Sequence, residues 1–387
     1  MDTILEYIER YSDCTFEEMP FNDVDSLILC QLAYLKFDGI VPSVNSLEDS
    51  VVLKDLPQME GYERIFSDVR YEKPNRALMK GLLESKRFRT LKMNCFIDMV
   101  EREWEMQFSA ITYILENGPV YVAFRGTDEN MVGWKEDFNM VYLAPVPAQE
   151  YSVKYLNTVA SRVRCPFIVG GHSKGGNLAI YSAMYCKPQV REKIIKVYSM
   201  DGPGFRPETL EAGDYVSLAD RVVRILPHSS LFGMIFAADL SYRVIESKSI
   251  GIAQHDPYNW IVKEDHFKPV KKIYGTRMQM DNALNAWLLS LNEEQVRVFG
   301  DTMYHVMLAS KTDNLIDLTA DWKKSVNGII TAMKEVDEDS KKVLKEVMRA
   351  FFEIAANQMK EEVVSGTKNV LEGTKKLVKR RKEKKTD

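Results

Sequence analysis

The stretch Pro166-Phe167-Ile168-Val169-Gly170-Gly171-His172-Ser173-Lys174-Gly175-Gly176-Asn177-Leu178-Ala179 constrains this chain more than any other. A short apolar run meets Gly-His-Ser-Lys-Gly, and apolar residues at helical spacing (Leu178, Ile180, Tyr181, Met184) follow at once. Such a pattern predicts a strand, a sharp turn and a helix, with a serine at the tip. The glycines have a steric role: two backbones can close on a strained serine only where Gly171 and Gly175 carry no side chain. The helix start then offers unpaired N–H groups to negative charge growing on a substrate oxygen. Ser173 is therefore a candidate nucleophile, and the N–H of Lys174 a candidate oxyanion donor. The plain alternative is a glycine-rich turn with an incidental serine.

At 387 residues the chain exceeds one average domain, and 45% hydrophobic residues suffice for a sizeable core. A formal net charge of −4 argues against a nucleic-acid binder. The five cysteines (Cys14, Cys30, Cys95, Cys165, Cys186) are scattered without C-x-x-C spacing and read as reduced core residues. The stretch from Met1 to Arg10 has no basic region followed by an apolar one, and no run approaches the ~20 apolar residues of a membrane span. A cytoplasmic protein is the expectation.

Asn22 to Leu35 reads as a capped helix, with apolar positions every three or four residues. Residues 41–100 read as helical pieces punctuated by Pro42, Pro57 and Pro74, a cover over a sheet. Phe108–Leu115 and Val120–Phe124, joined through Asn117-Gly118, predict an antiparallel hairpin. Further strands are expected at Ile194–Met200, Arg221–Leu226 and Tyr242–Glu246, separated by helical lengths. That alternation predicts an α/β fold, a mostly parallel sheet with helices on both faces.

A resemblance now becomes legible. Val122-Ala123-Phe124-Arg125-Gly126-Thr127, followed by Trp134 and Asp137 and then by Gly171-His172-Ser173-Lys174-Gly175-Gly176, is similar to the class 3 lipase branch of the α/β-hydrolases. More closely, residues from about 20 to 270 resemble an uncharacterised bacterial α/β-hydrolase family, a domain-of-unknown-function group. Asp25-Ser26-Leu27-Ile28-Leu29, Asp201-Gly202-Pro203-Gly204-Phe205 and Gln254-His255-Asp256-Pro257 carry that closer match. The resemblance implies a serine hydrolase fold and supplies no substrate. In an esterase fold the loop after the Val120–Phe124 strand supplies a second oxyanion donor, here Thr127 through its N–H and its hydroxyl.

A nucleophilic serine needs a base and an acid. His172 adjoins Ser173, and its side chain is expected to point elsewhere; His305 falls in a later helical pattern. Of the remaining three, His255 lies in a loop after the last predicted strand, in the chain order serine, acid, histidine. His228, directly after the strand ending at Leu226, is the runner-up, with His266 behind it. For the acid, Asp201 sits at the carboxyl end of its strand, where sites form in such sheets. Asp220 precedes its strand, and Asp256 is too close to His255 to orient that ring. Class 3 lipases place their aspartate after the following strand, where this chain has Pro227-His228-Ser229-Ser230, so the acid is where the chain departs from the pattern.

The expected chemistry is hydrolysis of a small-molecule or lipid ester through an acyl-enzyme on Ser173, with no metal or organic cofactor. A non-catalytic binding or scaffold protein on a hydrolase fold is the alternative. The apolar run Leu231–Ala238 reads as a core helix, with a lid or acyl-chain wall as its functional alternative. The chain divides into a hydrolase domain with N-terminal helical cover (1–275), a helical appendage (276–373) and a basic tail (374–387). The tail sets eight Lys/Arg against Glu383 and Asp387. A solvated helix end is the expected reading, and weak contact with an anionic membrane surface the alternative.

Overall fold

Alternation along the strands builds one sheet between two cores. Val120, Val122 and Phe124 face one apolar cluster while Tyr121 and Ala123 face another, and Phe167 and Val169 are likewise opposed to Ile168. Period-two patterning of this kind is what a sheet covered on both faces requires. The computed structural model describes residues 1–270, except 47, 129–130, 141–142, 229, 231, 237–239 and 250, together with Asn285. The expected helical appendage (276–373, Asn285 apart), the basic tail (374–387) and His305 lie outside the described residues.

The strands are β1 (Val51–Val52), β2 (Lys92–Glu101), β3 (Met106–Ile114), β4 (Val120–Phe124), β5 (Phe167–His172), β6 (Ile194–Met200), β7 (Val222–Pro227) and β8 (Arg243–Ile245). Their order in the sheet follows the chain. Pairs from β1 through β4 are antiparallel, and those from β4 through β8 are parallel. The predicted hairpin is the β3–β4 pair, with Ala110 opposite Phe124 and Ile114 opposite Val120. On one face lie the helices α1 (Ile4–Arg10), α2 (Asp23–Leu32) and α3 (Glu72–Glu84). The other is covered by α5 (Pro147–Arg162) and α6 (Lys174–Tyr185), with α4 (Met131–Asn139) preceding them in the chain. This is the α/β-hydrolase type of arrangement. No helix among the described residues is long and apolar enough to cross a membrane.

Two expectations need correction. Lys92–Glu101 is a strand, not a helical piece. A bulge between Asn94 and Ile97 breaks its register with β3, and Cys95 there takes φ 56°. The extra residue interrupts the alternation that would have marked a strand in the sequence. Cys165 is exposed, whereas Cys30, Cys95 and Cys186 are buried as expected.

Helix α2 starts where its sequence dictates. The Asn22 side chain accepts from the N–H groups of Val24 (2.9 Å) and Asp25 (3.1 Å), and Asp25 returns a bond to the Asn22 N–H at 2.9 Å. Asp25 is also the anchor of the N-terminal layer. Fully buried, it accepts from Arg87 Nε at 2.9 Å and from the Tyr7 hydroxyl at 3.0 Å. Arg87 Nη2 also donates to the second Asp25 oxygen, and the remaining N–H groups go to the carbonyls of Thr15, Met19 and Pro20. Removing one partner from a buried pair leaves the other charge uncompensated. Asp25→Ala should therefore lower the unfolding free energy by about 3–5 kcal/mol in urea titration. Asp13→Ala, which removes the exposed partner of Lys86, should cost less than about 1 kcal/mol; equal costs would contradict the burial argument.

Candidate functional site

Strand β5 ends at His172 and α6 begins at Lys174, so the turn between them is Ser173 alone. Its backbone takes φ 60°, ψ −132°, a sparsely populated conformation costing roughly 1–3 kcal/mol. Neighbouring backbone holds it there: Ser173 N–H donates to the Met200 carbonyl at 2.9 Å, and Gly176 N–H to the Ser173 carbonyl at 2.9 Å. The two glycines serve as the sequence implies. A Cβ on Gly171 would lie 2.2 Å from the Gly175 carbonyl, and one on Gly175 would lie 2.1 Å from the Phe124 carbonyl.

Asp201 leaves the end of β6 with φ 52°, and it is fully buried. One carboxylate oxygen accepts from His255 Nδ1 at 2.6 Å, and the other accepts from the Ser230 hydroxyl. Ser230 Oγ in turn accepts from the Gly233 N–H at 2.8 Å. His255 closes a short 3₁₀ turn, Gly251–His255, after β8. A carboxylate that holds Nδ1–H leaves the opposite ring nitrogen as the basic one. Among the described residues no hydrogen bond links the Ser173 hydroxyl to His255.

The competing residues are engaged elsewhere. His228 meets Gln254 at 3.3 Å, and exposed His266 meets Asp265 at 3.0 Å. Asp256 caps the next turn by accepting from the Tyr258 N–H at 2.9 Å, and Asp220 lies in the 3₁₀ turn that precedes β7. The His172 ring turns toward Tyr34, whose hydroxyl is 3.1 Å from its Nδ1, and toward the loop that carries His255. The ring centroid lies 4.5 Å from that of His255, and its Nε2 is 2.9 Å from the His255 carbonyl oxygen.

Helix α4 brings two carboxylates to this edge of the sheet. The Thr127 hydroxyl donates to Asp137 at 2.6 Å, so the group expected to face an oxyanion is oriented by a carboxylate. Glu136 is fully buried and accepts from Lys174 Nζ at 2.9 Å, from Gln107 N–H at 3.1 Å and from Ala148 N–H at 2.9 Å. Lys174, expected only as a backbone donor, thus also bolts α4 to the elbow through its buried side chain. Sequence reasoning missed Glu136. A glutamate inside a short helix gives no sign of burial until its lysine is located.

A cleft opens beside Ser173, lined by Met140, Pro203, Phe232, Ile235 and Phe236, with Asp137 among its polar groups. Within the Leu231–Ala238 run the described part, residues 232–236, is a series of turns in the cleft wall, not the core helix expected. Glycine at 233 and the polar anchors below account for this. Arg224, buried in β7, donates to the carbonyls of Gly202 (3.1 Å) and Gly233 (2.9 Å). It ties the 201–205 loop to the 232–236 turns, and burial lowers its pKa to about 10. Its only sequence signal was a charge inside Val222-Val223-Arg224-Ile225.

Burial also raises the Asp137 pKa from 3.8 to about 6, against the opposing pull of Lys174 and the Thr127 bond. With the folded-state value above the unfolded one, the folded protein binds the extra proton between them, so this contribution to stability is lost as pH rises. Relative to Asp137→Asn, the wild type should lose on the order of 1–2 kcal/mol between about pH 4 and pH 6. Parallel unfolding curves for the two proteins across that range would refute the raised value.

A family model described as Mbeg1-like matches residues 82–305. That span takes in Thr127, Asp137, Ser173, Asp201 and His255. It starts later and ends later than the resemblance legible in the sequence. No curated protein and no solved structure matches the chain.

Proposed function

The chain belongs to the Mbeg1-like family, and we propose that it is a serine hydrolase of the esterase or lipase type. The observation that carries the proposal is a conjunction at one sheet edge. A serine is held at φ 60° on a strand-to-helix turn, and a buried carboxylate beside it holds a histidine Nδ1 at 2.6 Å. The likeness of Arg125-Gly126-Thr127, Asp137 and the Gly171–Gly176 turn to class 3 lipases supports the same reading. So does the apolar cleft beside Ser173, which suits the acyl part of an ester.

In this mechanism Ser173 Oγ attacks the ester carbonyl while His255 takes its proton. The carbonyl oxygen becomes an oxyanion facing the N–H groups of Lys174 and Thr127. As the carbonyl reforms, the bond to the alkoxy oxygen breaks and His255 returns the proton to the departing alcohol. A water then attacks the acyl-enzyme with the same assistance, releasing the carboxylic acid and restoring Ser173. Asp201 keeps His255 in the Nδ1–H tautomer and stabilises the transient imidazolium.

A non-catalytic binding protein on this fold is the second reading, favoured by the lack of a Ser173–His255 hydrogen bond, though catalytic bonds are often long before substrate arrives. A fluorophosphonate probe separates the two. Wild type should be labelled and Ser173→Ala should not, with the thermal midpoint of the variant nearly unchanged. Asp201→Asn should lower turnover of an activated short-chain ester by on the order of 10⁴-fold, while Asp256→Asn and Asp220→Asn should change it little. Equal labelling of wild type and Ser173→Ala would end the hydrolase reading, and Asp256→Asn as the most damaging variant would reassign the acid.

A further inference from the structure

The loop that carries His255 is held by two ring nitrogens on consecutive carbonyls. Trp260 Nε1 donates to the Gln254 carbonyl at 2.9 Å, and His172 Nε2 lies 2.9 Å from the next carbonyl oxygen, that of His255. A carbonyl only accepts, so His172 Nε2 must carry the proton. On the far side of the same ring, Nδ1 lies 3.1 Å from the Tyr34 hydroxyl, which is therefore the donor of that bond when the ring is neutral. The His255 ring is flanked by the rings of His172 and Phe232, with centroids at 4.5 Å and 4.6 Å.

We propose that His172 is a positioning residue which, oriented by Tyr34, fixes the height of the His255 ring through its bond to the His255 backbone carbonyl. The inference rests on the hydrolase reading above and deepens it. Bond by bond, Asp201 fixes one ring nitrogen of His255, and nothing in that bond sets how far the loop stands from Ser173. His172 is the neighbour of Ser173 in the chain, at the end of β5, so its bond to the His255 carbonyl measures that separation directly. Burial holds the His172 pKa well below the ordinary range; the charges of His255 and Arg70 push it the same way, against the opposing pull of the bond to the His255 carbonyl. The ring therefore stays neutral and does not oppose an imidazolium forming on His255. Asp137, Asp201 and Asp256 are carboxylates that act on His255.

Three variants test this against p-nitrophenyl acetate and a fluorophosphonate. His172→Phe keeps an aromatic face and loses the donor; His172→Gln keeps a donor at similar reach and loses the ring. Misplacing a reacting group by an ångström costs about 10²-fold, so His172→Phe should lower kcat and the labelling rate by roughly 10- to 100-fold with KM within about twofold. His172→Gln should recover most of that loss. Tyr34→Phe removes one hydroxyl and leaves every ring in place. It should reduce kcat by a smaller factor, and in long-range ¹⁵N–¹H spectra His172 should keep the Nε2–H form that its bond to the His255 carbonyl requires. Wild-type kcat in His172→Phe, or His172→Gln as slow as His172→Phe, would overturn the proposal. Should His172→Phe fail to fold, unchanged kcat in Tyr34→Phe, or an Nδ1–H form of His172 in the wild type, would overturn it equally. Failure of the hydrolase reading looks different: the wild type itself would go unlabelled, and the inference would fall with it.

Discussion

Backbone pressed on backbone, with no Cβ between, is the contact on which the site depends. The start of α6 lies against the ends of β4 and β5 so closely that a methyl group on Gly171 or Gly175 would overlap carbonyl atoms. That approach sets Ser173 at its left-handed φ, since no relaxed serine would choose it. It also puts Phe124, and therefore the Arg125-Gly126-Thr127 turn that follows, next to the serine. Gly126 is part of the same closure: a Cβ there would lie 2.3 Å from the Tyr34 hydroxyl and 2.9 Å from Ser173 Cβ.

Much of the scaffold was legible in the sequence because local chemistry and global fold agree. Asn22 capping, the Asn117-Gly118 turn and the apolar runs of β5, β6 and β7 each name their element by short-range rules. Asp201 could be placed at the functional edge because a residue at a strand's carboxyl end goes there in a parallel sheet. β2 failed for an equally local reason. Its bulge shifts the side chains by one residue in mid-strand, which erases the period that identifies a strand.

What the sequence could not show are pairings made across the fold. Glu136 with Lys174, Arg224 with the Gly202 and Gly233 carbonyls, and His172 with the His255 carbonyl join residues from different elements. Each is a buried polar group, costly unless partnered, and each looks ordinary in one dimension. His172 continues the alternation of β5 onto the face of Ile168, where Trp260 and the loop bearing His255 pack.

The outermost strands have a consequence for the molecule's life among other molecules. β1 has two residues and β8 three, while the outer side of β8 is taken up by residues 268–270: Glu246 N–H donates to the Lys268 carbonyl at 2.9 Å and Val270 N–H to the Val244 carbonyl at 3.0 Å. A long, flat, unpaired margin is what lets sheets of separate chains join edge to edge into fibrils. At the other margin β1 covers only Lys92 and Met93 of β2, and Pro42 and Val44 bond Phe96 beyond them. With its outer side so occupied, the β8 margin is blunted against edge-to-edge pairing with other copies of the chain.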